Sequence, residues 1–197
     1  MVYEKQVDKS HYAFASYMTK PRWCSVWHQL SEIQKVNPEN LLKIGSGSGM
    51  LKNVAATFGM AIETLDLDPE LNPDHVASVT AMPFADAAYD VVCAFQVLEH
   101  LPYDTSILAF REMARVSGRH VLISLPDAQQ VWRYQFPVPR PQLSLPVHVP
   151  DREHFWEINK RGYRLSRVVA DFAQYLPLIR TFRVPENPYH RFFVFAR

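Results

Sequence analysis

Leu41-Leu42-Lys43-Ile44-Gly45-Ser46-Gly47-Ser48-Gly49 is an apolar run that gives way to three glycines at alternate positions. Its first four residues fit a short buried strand. Met50 to Phe58 then has helical spacing, with Gly59 as a C-terminal stop. A strand that enters a helix through such a turn presents free backbone N–H groups and the positive end of the helix. Gly45 permits the tight turn, Gly47 lets a ligand meet bare backbone, and Gly49 lets helix and strand pack closely.

The next strand, Ala61 to Leu67, ends in acid at Asp66-Leu67-Asp68-Pro69. Asp66 follows the loop by about 20 residues, the place where a carboxylate accepts bonds from ribose hydroxyls. Two other glycine loops are separable. The dinucleotide fingerprint needs glycine where Met50 stands, and a P-loop needs Gly-Lys-Ser/Thr, which does not follow.

Upstream, Trp23, Val26, Trp27, Leu30 and Ile33 fall at helical spacing. Thr19 is the expected cap, Pro21 suits the first turn, and Asn37-Pro38 ends the helix. Trp23 and Trp27 are expected in the core. Tyr12 and Tyr17 either pack this helix onto the sheet, the plainer reading, or belong to a segment that closes over a bound ligand; Tyr3 and Phe14 lie in the same stretch.

Downstream, strands are expected at His75 to Val79, Asp90 to Phe95 and His120 to Leu125, with a helix from Asp104 to Val116 stopped by Gly118. Pro126-Asp127 turns out of the fifth strand. Further helices are expected at Glu153 to Asn159 and Leu165 to Ala173. Leu178 to Val184 and His190 to Ala196 read as an antiparallel pair joined by Pro185-Glu186-Asn187-Pro188. Phe192, Phe193 and Phe195 suit a central strand with apolar layers on both faces. Alternating strands and helices imply right-handed crossovers and a mostly parallel sheet. Pro137, Pro139, Pro141, Pro146 and Pro150 exclude a regular helix or central strand between Ala128 and Pro150. An insert this long suits a lid over a ligand.

The 197 residues suit one domain, 1–197, with an N-terminal helical cap over 1–37 and the proline-rich lid over 128–160. A net charge of +1 argues against a nucleic-acid partner. The stretch Lys160-Arg161-Gly162-Tyr163-Arg164 reads as a solvated helix start. Cys24 and Cys93 make no disulfide framework, and Cys93 sits in an apolar run as a buried residue. That fits a reducing, cytoplasmic setting. Met1 to Ser10 has no apolar signal core, and no run spans a bilayer, so no membrane partner is expected.

Several segments together resemble the class I S-adenosylmethionine-dependent methyltransferases, in particular the type 11 group. They are Leu41 to Gly49, Thr64-Leu65-Asp66-Leu67-Asp68-Pro69, Ser78-Val79-Thr80-Ala81-Met82-Pro83-Phe84, and Tyr89 to Val92 continuing through Gln96-Val97-Leu98-Glu99-His100-Leu101-Pro102. The resemblance runs from Leu41 to about Asp127. It implies a Rossmann-like α/β fold, with a seven-stranded, mostly parallel sheet and an antiparallel last strand. It also implies S-adenosylmethionine as cofactor. Gly45, Ser46, Gly47 and Gly49 would face the amino-acid part of that cofactor and Asp66 its ribose. Leu67 would pack on adenine, Ser78 and Val79 would meet the adenine edge, and Gln96, Val97 and the residues up to His100 would line the site near the sulfonium. Two positions depart from the pattern. Lys43 stands where an acid is usual, and Ser78 where Asp is common, which implies weaker cofactor binding.

Methyl transfer needs proximity, alignment and sometimes a base, so no dedicated catalytic motif is required. His100 and His154 are the candidate catalytic residues, each also readable as a structural hydrogen bonder. His148 to Glu157 resembles a His/Trp/Glu segment found after the fifth strand in some members of the group. No metal site is expected, because no paired spacing such as His-Glu-x-x-His appears. The expected function is methylation of a small-molecule or sugar-like acceptor by a monomer or homodimer. One competing reading is a non-catalytic S-adenosylmethionine-binding regulatory or assembly protein, motivated by Lys43. Another is a nicotinamide oxidoreductase, against which Met50 weighs.

Overall fold

Strand β1 (Leu41–Ile44) lies between β2 (Glu63–Asp66) and β4 (Tyr89–Phe95), parallel to both. The computed structural model describes residues 9–131, 133–135, 142–144 and 154–197. Outward from β2 comes the two-residue β3 (His75–Val76); outward from β4 comes β5 (Ser117–Pro126). Beyond β5, β9 (His190–Ala196) runs antiparallel, and β8 (Leu178–Arg183) pairs antiparallel with β9 at the edge. The order is β3-β2-β1-β4-β5-β9-β8, so β9 alone opposes the other strands. This is the expected seven-stranded, mostly parallel α/β sheet. The chain reverses direction about β1, so the ends of β1 and β4 frame the crevice where open α/β sheets bind ligands.

Alternate residues of each central strand enter different cores. On one side Leu41, Val91, Cys93, Phe95, Phe192 and Val194 pack with α2 (Lys20–Val36) and α3 (Met50–Thr57). On the other, Leu42, Val92, Ala94, Phe193 and Phe195 pack with α4 (Tyr103–Val116) and α5 (Leu165–Ala173). Phe110 of α4 stacks on Phe172 of α5 at 4.6 Å and meets the edge of Phe195 at 4.8 Å. Cys93 and the three expected phenylalanines are buried. A one-turn α1 (Phe14–Tyr17) precedes α2. Thr19 caps α2, its hydroxyl accepting from Arg22 N at 3.4 Å, and Asn37 closes it in the left-handed region.

The structure corrects four expectations. Trp23 and Trp27 are 48% and 61% exposed, outside the core. The buried face of α2 is Ser25, Val26, Gln29, Glu32 and Ile33 instead. Its polar members are tolerated because they are paired: Glu32 bonds Lys35 at 2.7 Å and also Arg180 of β8. Gly118 does not stop a helix, since α4 passes directly into β5 at Ser117 and Gly118 lies inside the strand. The expected third strand shortens to His75–Val76.

The fourth correction concerns Glu153 to Asn159, of which residue 153 lies outside the described residues. Residues 154–159 are extended rather than helical. Ile158 N donates to Pro126 O (3.0 Å), and Ala128 N to Ile158 O (2.9 Å). Trp156, Glu157 and Ile158 are all buried while Phe155 is 59% exposed, so neither a helical nor an alternating pattern holds there. Within the insert, β6 (Arg133–Gln135) and β7 (Gln142–Ser144) pair antiparallel. Most of the proline-rich run and His148 lie outside the described residues, as does Tyr3.

Asp127, at the exit of β5, ties the last hairpin to the sheet. Its carboxylate accepts from Arg183 (2.8 Å), Arg191 (2.6 Å), Asn159 (2.8 Å) and Gln129 N (3.0 Å). Burial alone would raise its pKa, but these donors hold it below the usual carboxylate range. Its stabilising contribution is therefore present above the unfolded value of about 4 and fades as pH falls through the folded one. Asp127→Asn is expected to cost ~3 kcal/mol at neutral pH, because two half-buried guanidinium groups lose their fully buried counter-charge. In urea denaturation, the gap between parent and variant should narrow below about pH 4.

Candidate active site

The strand-to-helix turn after β1 is built on left-handed backbone. Gly45, Gly47 and Gly49 have φ of +77°, +57° and +73°. At Gly45 the constraint is double: a Cβ there would also meet Val97 Cγ2 at 2.8 Å. The loop is pinned from below by Gly45 N donating to Leu65 O (2.8 Å). It is pinned from the side by Ser46 N donating to Asp66 Oδ2 (2.6 Å). Asp66 Oδ1 accepts from Asp68 N (3.1 Å). Each carboxylate oxygen retains a second acceptor direction. The Ser46 hydroxyl is buried with no partner among the described residues. It is an orphaned polar atom where a ligand's amino-acid end would lie, so the residues fit a nucleoside-bearing cofactor.

Lys43 points under this loop. Its ammonium donates to Gly45 O and lies 3.4 Å from Ser46 O. It sits opposite Cys93 in the β1–β4 register, and burial lowers its pKa. The cation thus satisfies loop carbonyls from inside the protein.

The other expected cofactor residues gather at the same end of the sheet. Ala77 N donates to Asp66 O (3.1 Å), which carries the segment after β3 alongside β2. Ser78 Oγ bonds Thr80 Oγ1 at 2.9 Å, and Val79 packs against the α4-side core. Leu67 is 46% exposed, leaving an apolar face for a flat ring. Gln96 leaves β4 at φ +56°, a strained value for a non-glycine residue. In the orientation its neighbours favour, its amide nitrogen donates to Glu99 Oε1 (3.3 Å) and its oxygen accepts from Leu125 N (3.2 Å).

Tyr12 lies over the glycine loop, its Cε1 3.8 Å from the place where a Gly47 Cβ would stand. It meets Tyr17 edge-on at 5.0 Å, and Arg22 covers Tyr17 at 3.9 Å. Burial, then Tyr17 and Asp66, push the Tyr12 phenol up to about 12.

His100 and His154, 54 residues apart in sequence, meet with ring centroids 5.0 Å apart. The cause is local backbone. Glu99 and His100 form the 3-10 turn after β4, and Phe155 N donates to Glu99 O at 3.0 Å. His154 Nδ1 meets Tyr189 Oη at 3.1 Å and Glu157 Oε1 at 3.3 Å. Glu99 and Glu157 are both fully buried. Burial, aided by Glu157, raises the Glu99 carboxyl to about 8. His190 nearby is held neutral by burial and by Arg22 and His154, at about 3. The resemblance put Glu99 in the stretch lining the site and Glu157 in the His/Trp/Glu segment, but assigned neither a role of its own.

A sequence model of a methyltransferase-domain family matches residues 14–166 of the chain. No protein of curated function matches it in sequence. Among solved structures, it is similar to magnesium protoporphyrin IX methyltransferase from Synechocystis PCC 6803 with bound SAH. There the TM-score is 0.61 at 13% identity, over 90% of this chain and 84% of that one. It is similar to the 1,6-didemethyltoxoflavin-N1-methyltransferase of Burkholderia thailandensis, with TM-score 0.61 and 14% identity over 100% and 93%. It is also similar to the small RNA methyltransferase HEN1, with TM-score 0.63 and 14% identity over 91% of this chain and 26% of that one. With the family model spanning most of the chain and the sheet order agreeing, the chain belongs to the methyltransferase-domain family.

Proposed function

We propose that this protein binds S-adenosylmethionine over the glycine loop and transfers its methyl group to a small-molecule or sugar-like acceptor. The observation that carries the reading is the Ser46–Asp66 contact at the paired ends of β1 and β2, with left-handed glycines on either side of it. Gly45 to Gly49 offer backbone N–H groups at the start of α3, and Asp66 offers carboxylate oxygens to ribose hydroxyls. Leu67, Ser78 and Val79 form the adenine side, while Gln96 and Val97 face the reacting end. Tyr12 closes the site from above and excludes water. When bound, the cofactor supplies an electrophilic methyl on sulfur. His100 and His154 stand on the acceptor side and hold or orient the group to be methylated.

The small acceptor is favoured by the near-neutral charge and by an acceptor side formed within the same domain. Relatives in fold act on a porphyrin, a toxoflavin precursor and a small RNA, so fold alone does not choose among acceptors. Among the described residues no helix is long and apolar enough to cross a membrane. Lys43 keeps the binding-only reading in play, because it occupies the loop's underside where the family usually places an acid.

Calorimetry with S-adenosylhomocysteine tests the cofactor site. Asp66→Ala is expected to weaken binding ~30-fold, about 2 kcal/mol for lost charge-assisted hydrogen bonds. Unchanged affinity would remove the assignment. Tyr12→Ala should weaken the same binding ~5-fold, as about 1 kcal/mol of aromatic cover is lost. Incubating the protein with S-adenosylmethionine and a panel of small hydroxyl and amine acceptors should yield S-adenosylhomocysteine. Tight binding with no product from any acceptor would favour the regulatory reading.

A further inference from the structure

We propose that Glu99, His100 and His154 bind a first-row divalent metal ion on the acceptor side of the sheet. One donor atom from each residue lies within 4.8 Å of the other two. Donors about 2.1 Å from a common ion stand roughly 3–4 Å apart. Small side-chain rotations therefore close the trio around one centre.

The second observation is Glu99 itself. Its side chain is fully buried, and its Oε2 has no hydrogen-bond partner among the described residues. The carboxyl otherwise meets the Gln96 amide at 3.3 Å and its own backbone N–H. A buried carboxyl with an unmatched oxygen costs stability, and a divalent cation reaching it would replace its proton and satisfy that oxygen. Among the described residues, Lys160 bonds Glu157 at 2.8 Å, and Arg22, which lies over Tyr17, reaches Glu99 only through its field.

The surroundings of His154 are those of a ligand. Ligating imidazoles usually hold a carboxylate or carbonyl with the ring nitrogen that does not face the metal. His154 Nδ1 is engaged by Glu157 Oε1 and Tyr189 Oη, so Nε2 is the nitrogen we assign to the ion. Glu157 is fully buried and fixed by Lys160, which holds the ring in one orientation. The bond from Phe155 N to Glu99 O fixes the two ligand segments against each other.

Two imidazoles and one carboxylate suit Mn²⁺, Fe²⁺, Co²⁺ or Zn²⁺ and not the all-oxygen preference of Mg²⁺ or Ca²⁺. Three protein ligands leave coordination positions for water or for an oxygen of the acceptor. A hydroxyl bound there would lose its proton to solvent water more readily; its oxygen would then take the methyl as the cofactor's C–S bond breaks, leaving S-adenosylhomocysteine. In this arrangement the two histidines position the acceptor through the ion and are not themselves proton acceptors. That role for the acceptor rests on the methyl-transfer reading; binding of the ion does not.

The test titrates Co²⁺ into the chelator-treated full chain without any S-adenosyl compound. Saturable binding of one ion per chain is expected, with visible absorption bands of nitrogen-ligated Co²⁺, and millimolar Mg²⁺ should not displace it. Glu99→Gln and His154→Ala should each weaken binding at least tenfold. His28→Gln, whose parent side chain pairs with Glu186 outside the cluster, should leave binding unchanged. Thermal unfolding checks that each variant is folded, and the spectrum of the unaltered protein stands if one is not. Absence of saturable binding, a spectrum without nitrogen ligation, or binding that ignores both ligand substitutions would each overturn the assignment. S-adenosylhomocysteine affinity, measured separately, tells failure of this site from failure of the cofactor site.

Discussion

A single hydrogen bond, from the amide of Ser46 to the carboxylate of Asp66, fixes the working end of this molecule. It joins the first crossover turn to the tip of the neighbouring strand. The turn keeps its left-handed path because the glycines accept it and because Val97 fills the space a side chain at Gly45 would need. From that joint the rest follows in order. Asp66 O receives Ala77 N, bringing Ser78 and Val79 alongside. Val97 leads within three residues to His100, and Glu99 O receives the chain that carries His154. Both halves of the site therefore hang on backbone contacts between strand ends.

Much of this was readable from local chemistry. The glycine spacing, the acid after the second strand and the valine-rich fourth strand each specify one local geometry, and the geometries agree. What misled was counting apolar residues. Trp23 and Trp27 have the spacing of a core stripe, but α2 turns Glu32 and Gln29 inward because Arg180 and Lys35 stand ready for Glu32. Those partners are distant in sequence or outside the stripe, so periodicity does not register them. Residues 154–159 failed for a related reason. Their apolar content suited a helix, yet the strand end at Pro126 offered backbone partners that no window around Trp156 contains. The meeting of Glu99 with His154 is illegible on the same grounds.

The site also shows how one substitution of charge is absorbed. An acid in place of Lys43 would put negative charge beneath the loop, where a ligand's ammonium could feel it. Lys43 instead spends its protons on the carbonyls of Gly45 and Ser46. The loop gains internal support, and the ligand loses one counter-charge. Cys93, opposite Lys43 in register, is small enough to leave room for the longer side chain.

The position of β9 has a consequence for how the chain is made. β9 slots between β5 and β8, and Arg191 at its start closes on Asp127. Until His190–Ala196 has left the ribosome, β5 is an open border of the sheet, its backbone from His120 to Pro126 without a partner strand on that side. Nascent chains stalled before that point present a sticky ribbon to one another, and a chaperone's attention during synthesis is best placed there.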